Sequence, residues 1–166
     1  MKQTKQLTLC AVMLSLALAL SYLERFLPLQ LLIPLPGVKL GLANIVTLIA
    51  LYLLGAKSAF AILILRCILG SIFGGGITGL LFSLTGGIAA MAVMTAARNI
   101  PFLSIYGVSI LGAAAHHVGQ IAAAMVLMQS VYVGAYLPYL LLAGLVTGFA
   151  TGGVSGGVLK ILYREK

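Results

Sequence analysis

The sequence has very few acidic residues: it contains no aspartate, and its two glutamates are Glu24 and Glu165. Charged residues of all kinds make up 7% of the 166 residues, whereas a soluble domain is typically about a quarter charged. This shortage excludes a water-exposed globular surface. It also argues against magnesium-dependent chemistry, because Mg²⁺ is bound in proteins largely through carboxylates. We predict no metal site and no cofactor.

Proline and cysteine are also scarce. The two cysteines, Cys10 and Cys67, lie inside apolar runs and have no spacing typical of a disulfide framework or a zinc site. We predict that both are reduced packing residues. The prolines fall between apolar runs, where helix-breaking residues are tolerated; they are Pro28, Pro34, Pro36, Pro101 and Pro138.

The chain is rich in hydrophobic residues. Hydrophobic residues make up 62% of the chain, and the mean hydropathy is +1.19, which indicates an integral membrane protein. A bilayer core of roughly 30 Å needs about 20 apolar residues per helix, which leaves room for about six crossings and no soluble domain. The apolar runs cover residues 7–23, 40–54, 58–73, 78–97, 104–128 and 139–162. We predict one all-α domain over residues 1–166, with six transmembrane helices in one bundle.

Basic residues are distributed unevenly between the two ends of these spans. The net charge is +8, and Arg25 and Lys39 are the bases that fall on the outer side of a six-span bundle with a cytoplasmic N-terminus. Such a bias follows the positive-inside rule and predicts that both termini are cytoplasmic. Because the bases flank apolar spans, we expect contact with membrane lipids and no binding of nucleic acid. The bases on the cytoplasmic side are Lys2, Lys5, Lys57, Arg98, Lys160, Arg164 and Lys166.

The N-terminal apolar run allows two interpretations. A basic start followed by an apolar stretch and Ala17-Leu18-Ala19 resembles a secretory signal with its cleavage site. Alternatively, the run is an uncleaved first helix. The four-residue recurrence of Ala11, Ser15 and Ala19 favours the helix, because small residues at this spacing form helix-packing faces.

The stretch from Pro34 to Asn44 is the most polar interruption of the apolar runs. The span that follows, 40–54, has 15 residues and would be about 22 Å long, well short of the bilayer core. Either its helix begins earlier, around Gly37, or the preceding segment sinks below the membrane surface. Irregular backbone at that depth persists only when it is buried in protein or lines a wet cavity. The second alternative makes the segment a candidate site.

Arg66 lies near the centre of the third predicted span. A charged side chain at that depth costs at least a few kcal/mol and normally faces a partner or a cavity. Glu24 is the only acidic residue outside the C-terminal tail and therefore the only carboxylate able to pair with it. Arg66 could lock the bundle by bonding to Glu24 or to helix-end carbonyls, or it could bind an anionic ligand. The sequence leaves these alternatives open.

His116 and His117 lie about halfway along the fifth predicted span, and Gln120 follows His116 by one turn on the same face. Adjacent helical residues point about 100° apart, so the two histidines do not face one ligand closely. Three uses remain open: an interhelical hydrogen bond, substrate contact by His116 and Gln120, or metal binding or proton transfer. A metal site has no acidic or cysteine donor within this span.

Glycine patterns predict helix contacts. A four-residue repeat along the last span forms a stripe that lets another backbone approach closely, although the neighbour could belong to this chain or to a partner. Gly74-Gly75-Gly76 lacks the lysine and spacing of a P-loop and predicts a tight turn. Thr85-Gly86-Gly87 marks a weak point or a contact in the fourth span. The stripe consists of Gly144, Gly148, Gly152 and Gly156.

Three segments together resemble one bacterial membrane-protein family: Pro-Gly-Val-Lys-Leu-Gly-Leu-Ala-Asn, Gly-Gly-Gly-Ile-Thr-Gly-Leu-Leu-Phe-Ser and Ala-His-His-Val-Gly-Gln. The family is heptaprenyl diphosphate synthase component I, also called the Gx transporter family, and the resemblance covers nearly the whole chain. It is distantly similar to the substrate-binding S components of energy-coupling-factor transporters. That similarity implies the bacterial cytoplasmic membrane and a gate loop between the first two helices, formed by Pro36, Gly37, Val38 and Lys39. It also implies a small-residue face that docks a transmembrane coupling subunit. The face would be Ala11, Ser15 and Ala19.

The synthase part of the family name does not fit a catalytic subunit. Prenyl diphosphate synthases hold magnesium and diphosphate through aspartate-rich motifs, and this chain has no aspartate. We therefore expect a substrate-binding subunit for a small anionic or isoprenoid- or quinone-related molecule, energised by a coupling subunit and an ATPase pair. The alternative is a non-catalytic subunit or scaffold of a prenyl diphosphate or quinone biosynthetic enzyme.

Each candidate site residue has an expected role under the transport hypothesis. Lys39 would form the gate and contact an anionic ligand, and Asn44 would be a polar contact or a helix cap. Arg66 would bind the ligand or lock the bundle. His116 and Gln120 would donate or accept hydrogen bonds along the inner wall.

Overall fold

The computed structural model describes residues 2–26 and 39–164, and the regular structure in those residues is helical. Five helices among them are long and apolar enough to cross a membrane. The predicted all-α membrane fold is confirmed. The six α-helices are α1 (Lys2–Leu23), α2 (Asn44–Leu53), α3 (Ala56–Gly70), α4 (Gly76–Ala97), α5 (Ile105–Met128) and α6 (Leu137–Arg164).

The second helix is shorter than the sequence predicted. α2 has 10 residues, which corresponds to about 15 Å, and it begins at Asn44 rather than at residue 40. Residues 39–43 precede it as an irregular, half-buried segment, and Gly41 there has a φ of +83°. The alternative that the helix begins earlier, around Gly37, is therefore wrong. The remaining gate-loop residues, Pro36, Gly37 and Val38, lie outside the described residues.

The ends of α3 are set by glycine. Gly55, with a φ of +84°, occupies the N-cap position, so α3 begins at Ala56 rather than at residue 58. After α3, a wide π-type turn over Ser71–Gly75 breaks the helical path. Gly74 and Gly76 have φ values of +107° and +62°, which residues other than glycine rarely adopt. The predicted turn at the glycine run therefore separates α3 from α4.

α5 is the central helix of the bundle, with α4 and α6 packed along its two sides, while α1 and α2 both pack against α3. Its first turn is capped by Ser104, whose Oγ accepts from the backbone N–H of Gly107 at 3.3 Å. α1 contributes Met13 and Ala17 to the apolar core. The small residues predicted to dock a partner, Ala11, Ser15 and Ala19, are exposed.

Candidate functional site

Seven polar side chains from six parts of the chain meet near the start of α2, inside a mainly apolar bundle. Six of them are more than nine-tenths buried, and the lysine is half-buried. Polar groups buried within a membrane protein are costly and are therefore a functional-site hypothesis by default. We call this set the polar cluster: Glu24, Lys39, Asn44, Arg66, Ser83, His116 and Gln120.

Lys39, which precedes α2 in the irregular segment 39–43, is held by two helices. Its Nζ donates to Ser83 Oγ on α4 at 2.8 Å. The Gln120 carboxamide on α5 lies against the Lys39 backbone. In the amide orientation that satisfies both of its atoms, its oxygen accepts from the N–H and its nitrogen donates to the C=O, both at 3.1 Å. The same oxygen accepts from His116 Nε2 at 3.2 Å. Gln120 therefore connects the start of the irregular segment to the histidine.

Glu24 lies just beyond the end of the apolar span Thr4–Leu23 and reaches the start of α2. Its Oε1 accepts from the backbone N–H of Gly41 at 2.5 Å, so a carboxyl group sits near the positive end of that helix. Burial raises the pKa of Glu24 above its ordinary value. The Gly41 hydrogen bond and the nearby positive charges of Lys39 and Arg66 act in the opposite direction.

The ring of His116 lies between two glycines. A Cβ at Gly41 would come within 3.3 Å of His116 Cδ2, and one at Gly86 within 2.9 Å of His116 Cε1. The Thr85-Gly86-Gly87 sequence is therefore a contact and not a break, since α4 runs through it. His116 Nδ1 has no hydrogen-bond partner among the described residues.

Asn44 is the first residue of α2, and the N-cap position belongs to Ala43. The helix-cap alternative for Asn44 is therefore wrong. Its side chain is 8% exposed, and within the described part of the chain its Oδ1 has no hydrogen-bond partner. A Cβ at Gly41 would lie 2.9 Å from Asn44 Nδ2, so the amide points toward the irregular segment and is available as a polar contact.

Arg66 is the buried cation of the cluster, with a side chain 6% exposed. Its Nε and Nη2 have no hydrogen-bond partner in residues 2–26 and 39–164, so these atoms do not bond to helix-end carbonyls. Glu24 is near enough for the two charges to attract each other. Its Oε1, however, is already bonded to Gly41. Arg66 and Glu24 are therefore close enough for their charges to attract each other. The Nε and Nη2 edge of the guanidinium, however, has no acceptor among the described residues.

His117 faces another part of the bundle. A Cβ at Gly144 on α6 would lie 2.7 Å from His117 Cδ2, and the two histidine rings are 5.7 Å apart at an interplanar angle of 77°. This arrangement agrees with the divergent directions expected of adjacent helical residues. Among the described residues, no group of three or more histidine, cysteine or acidic side chains could hold a metal ion.

The structure brings together the five residues selected from the sequence: Lys39, Asn44, Arg66, His116 and Gln120. Sequence reasoning missed Ser83, and it treated Glu24 only as a counter-ion for Arg66. Ser83 precedes Gly86 by three residues and so lies on the same face of α4, but this spacing does not predict its contact with Lys39.

Three residues of the polar cluster line a small cavity in the described part of the chain. Next to Arg66 lies a cavity of about 10 Å³, which has room for about one water molecule; we call it the Arg66 cavity. It is lined by Ser21, Lys39, Arg66, Cys67, Gly70 and Ser83. A ligand of ordinary size needs roughly 300–1,000 Å³, so the Arg66 cavity by itself is too small to hold one.

The glycine stripe of α6 faces α5 of the same chain. A Cβ on Gly148 would come within 2.8 Å of the Ile110 Cα, and one on Gly152 within 3.0 Å of the Tyr106 Cα. Such distances leave no room for side chains between the two backbones. The nearest atoms to Gly144 and Gly156 belong to His117 and Ile105.

These features define a multi-pass, all-α membrane protein with a buried polar cluster at the start of a short second helix. The family model of heptaprenyl diphosphate synthase component I matches residues 13–158, and the chain belongs to this family. The family name denotes one component of a synthase. Comparison with curated proteins and with solved structures finds no significant match.

Proposed function

We propose that this protein is a non-catalytic, substrate-binding subunit of a membrane transporter, which receives a small anionic molecule at the polar cluster. The supporting observation is the charge of the cluster. Lys39 and Arg66 supply two cations against the single carboxyl group of Glu24, and two donor atoms of Arg66 have no acceptor among the described residues. An anionic ligand would supply both the missing charge and the missing acceptors.

The segment that begins at Lys39 is the proposed gate. Lys39 is fastened to α4 through its side chain and to α5 through its backbone, so release of these bonds would uncover Arg66 and His116. By the positive-inside distribution of bases, this end of the bundle faces the outside of the bacterial cytoplasmic membrane. The gate would then admit ligand from the outer side.

Energy for transport has to come from partner subunits under this proposal, since the sequence has no P-loop. The exposed residues Ala11, Ser15 and Ala19 on α1 are the proposed docking face for a transmembrane coupling subunit, which would itself carry an ATPase pair. Their small side chains allow another helix to approach closely.

Purification from the native membrane tests the proposal. We expect mass spectrometry to identify a bound anionic small molecule together with a coupling subunit and an ATPase pair. Lys39→Ala should lower the amount of bound molecule without unfolding the bundle, whereas Lys57→Ala, which removes a base from the start of α3, should not. Recovery of a soluble prenyltransferase alone, with no bound small molecule, would instead support the scaffold function.

A further inference from the structure

The unpartnered atoms of Arg66 form a specific edge of the guanidinium. Nε and Nη2 point in parallel, and this pair matches the two oxygens of a carboxylate or phosphate in a bidentate hydrogen bond. Both atoms are buried and lack a partner in the described part of the chain. Leaving such donors unsatisfied away from water is costly, so the geometry calls for an acceptor with two oxygens.

The Arg66 cavity adjoins a wider groove between α1 and α3. This groove has a volume of about 470 Å³, within the range of small-molecule sites. Ser21 and Gly70 line both the groove and the Arg66 cavity, so these two residues separate the two spaces or border their junction. The other residues that line the groove are Leu18, Ala19, Tyr22 and Phe73.

The groove differs from the Arg66 cavity in chemistry. Its lining is mainly apolar, and the rings of Tyr22 and Phe73 are 54% and 67% exposed, so it opens on the side of the bundle that faces lipid. At its inner end lies the buried arginine. A polar pocket that continues into an apolar groove fits a molecule with a charged head and a hydrocarbon tail.

We propose that the ligand is a single-chain amphiphile with a terminal carboxylate or phosphate, which enters sideways between α1 and α3. Its two head-group oxygens bind Nε and Nη2 of Arg66, Lys39 and Ser83 lie at the same head-group site, and its tail lies in the groove. This inference rests on the proposed function and narrows it to one ligand class and one route of entry.

Gly70 provides a variant that closes the route without disturbing the backbone. It has a φ of −63° and a ψ of −28°, which any residue adopts, and among the described residues no atom outside its own helical turn lies within 4 Å of a Cβ placed there. Gly70→Leu should therefore fold and fill the junction between groove and cavity. Gly157→Leu is the matched control, because a Cβ at Gly157 also meets nothing within 4 Å.

Binding of dodecyl phosphate and dodecanoate to the protein in phosphatidylcholine nanodiscs tests the inference, with dodecanol as the neutral probe. We expect saturable binding of at least one anionic probe and no competition by dodecanol. Arg66→Lys, which keeps the charge but loses the fork, should weaken binding at least about tenfold. Gly70→Leu should weaken it to a similar extent, and Gly157→Leu should leave it unchanged.

Several results would overturn the inference. If Arg66→Lys binds the anionic probes as tightly as wild type, Arg66 does not hold the head group. If Gly70→Leu binds them as tightly as wild type, the ligand does not enter between α1 and α3. Stronger competition by phosphatidylglycerol than by dodecyl phosphate would identify a two-chain lipid instead. If Arg66→Lys does not fold, Gly70→Leu still decides the route.

Failure of the amphiphile inference would not by itself contradict the proposed transport function. A co-purifying molecule without a carboxylate or phosphate would leave the transporter proposal intact and contradict the amphiphile. Absence of both a co-purifying molecule and any probe binding to the wild-type protein would contradict the two together.

Discussion

The side-chain amide of Gln120 on α5 binds both backbone polar groups of Lys39, accepting from its N–H and donating to its C=O at 3.1 Å each. A side chain thereby replaces the backbone partner that a helix or sheet would supply at this point of the chain. The amide oxygen also binds His116. Any movement of the Lys39 segment is consequently coupled to the centre of α5.

Replacement of Gln120 by Leu should loosen this segment. The substitution removes the partners of two backbone groups, and each buried group left unsatisfied costs about 1–3 kcal/mol. We expect faster amide hydrogen exchange at Lys39 and a lower unfolding temperature. Gln6→Leu is the control, since Gln6 lies at an exposed position and makes one hydrogen bond to Ser58. Unchanged exchange at Lys39 in Gln120→Leu would show that the amide does not hold the segment.

Gly86→Ala should disturb the polar cluster directly. The new Cβ would lie 2.9 Å from the His116 ring and from its backbone carbonyl oxygen, and overpacking of this kind costs about 1–3 kcal/mol. Gly79→Ala on the same helix meets nothing within 4 Å and should be neutral or stabilising by up to about 1 kcal/mol. Thermal unfolding in detergent compares the two. Equal midpoints for the variants would contradict the close approach of α4 and α5 at His116.

Much of the architecture was predictable because apolar runs and the residues that break them carry the signal. Five spans followed from length and hydropathy alone, and the glycine run before Thr78 marked the break between α3 and α4. The start of α2 was not predictable in this way. Residues 40–43 are as apolar as the helix that follows, and what keeps them out of it is tertiary: Gly41 at a φ of +83° bonded to Glu24.

The sequence predicted which residues form the candidate site better than it predicted the contacts between them. Polar side chains are so rare in these spans that Arg66, His116 and Gln120 were conspicuous. Ser83 was not, since a lone serine in a membrane helix usually bonds to its own backbone. Its partner Lys39 is 44 residues away in sequence, and no local pattern predicts a contact over that separation.

The contact between α5 and α6 predicts different tolerance at two glycines of one helix. A Cβ at Gly148 would lie 2.8 Å from the Ile110 Cα, whereas one at Gly157 meets nothing within 4 Å. Because backbone cannot move aside as a flexible side chain can, Gly148→Ala should cost about 1–3 kcal/mol and separate the helices locally. Gly157→Ala should not be destabilising. Equal thermal stability of the two variants would indicate that the stripe faces something other than α5.

Glu24 should make stability depend on pH. Its pKa is raised above the ordinary value of 4.5, chiefly by burial, so the folded protein holds this proton more tightly than the unfolded chain does. Between 4.5 and the raised pKa the folded state binds more protons, and stability therefore falls as pH rises through that window. The protonated carboxyl group still accepts from Gly41, which is why folding tolerates its burial.

Glu24→Gln isolates this effect, because the amide resembles the protonated acid in shape and keeps an oxygen for Gly41. At a pH below 4.5 the variant should unfold at nearly the wild-type temperature. As pH rises, wild type should lose stability relative to the variant, and the difference should level off once Glu24 is ionised in both states. Glu24→Leu leaves the Gly41 N–H without its acceptor and should be destabilised at every pH by about 1–3 kcal/mol. A wild-type protein that instead gains stability over Glu24→Gln with rising pH would show that Lys39 and Arg66 outweigh burial and hold the carboxylate ionised.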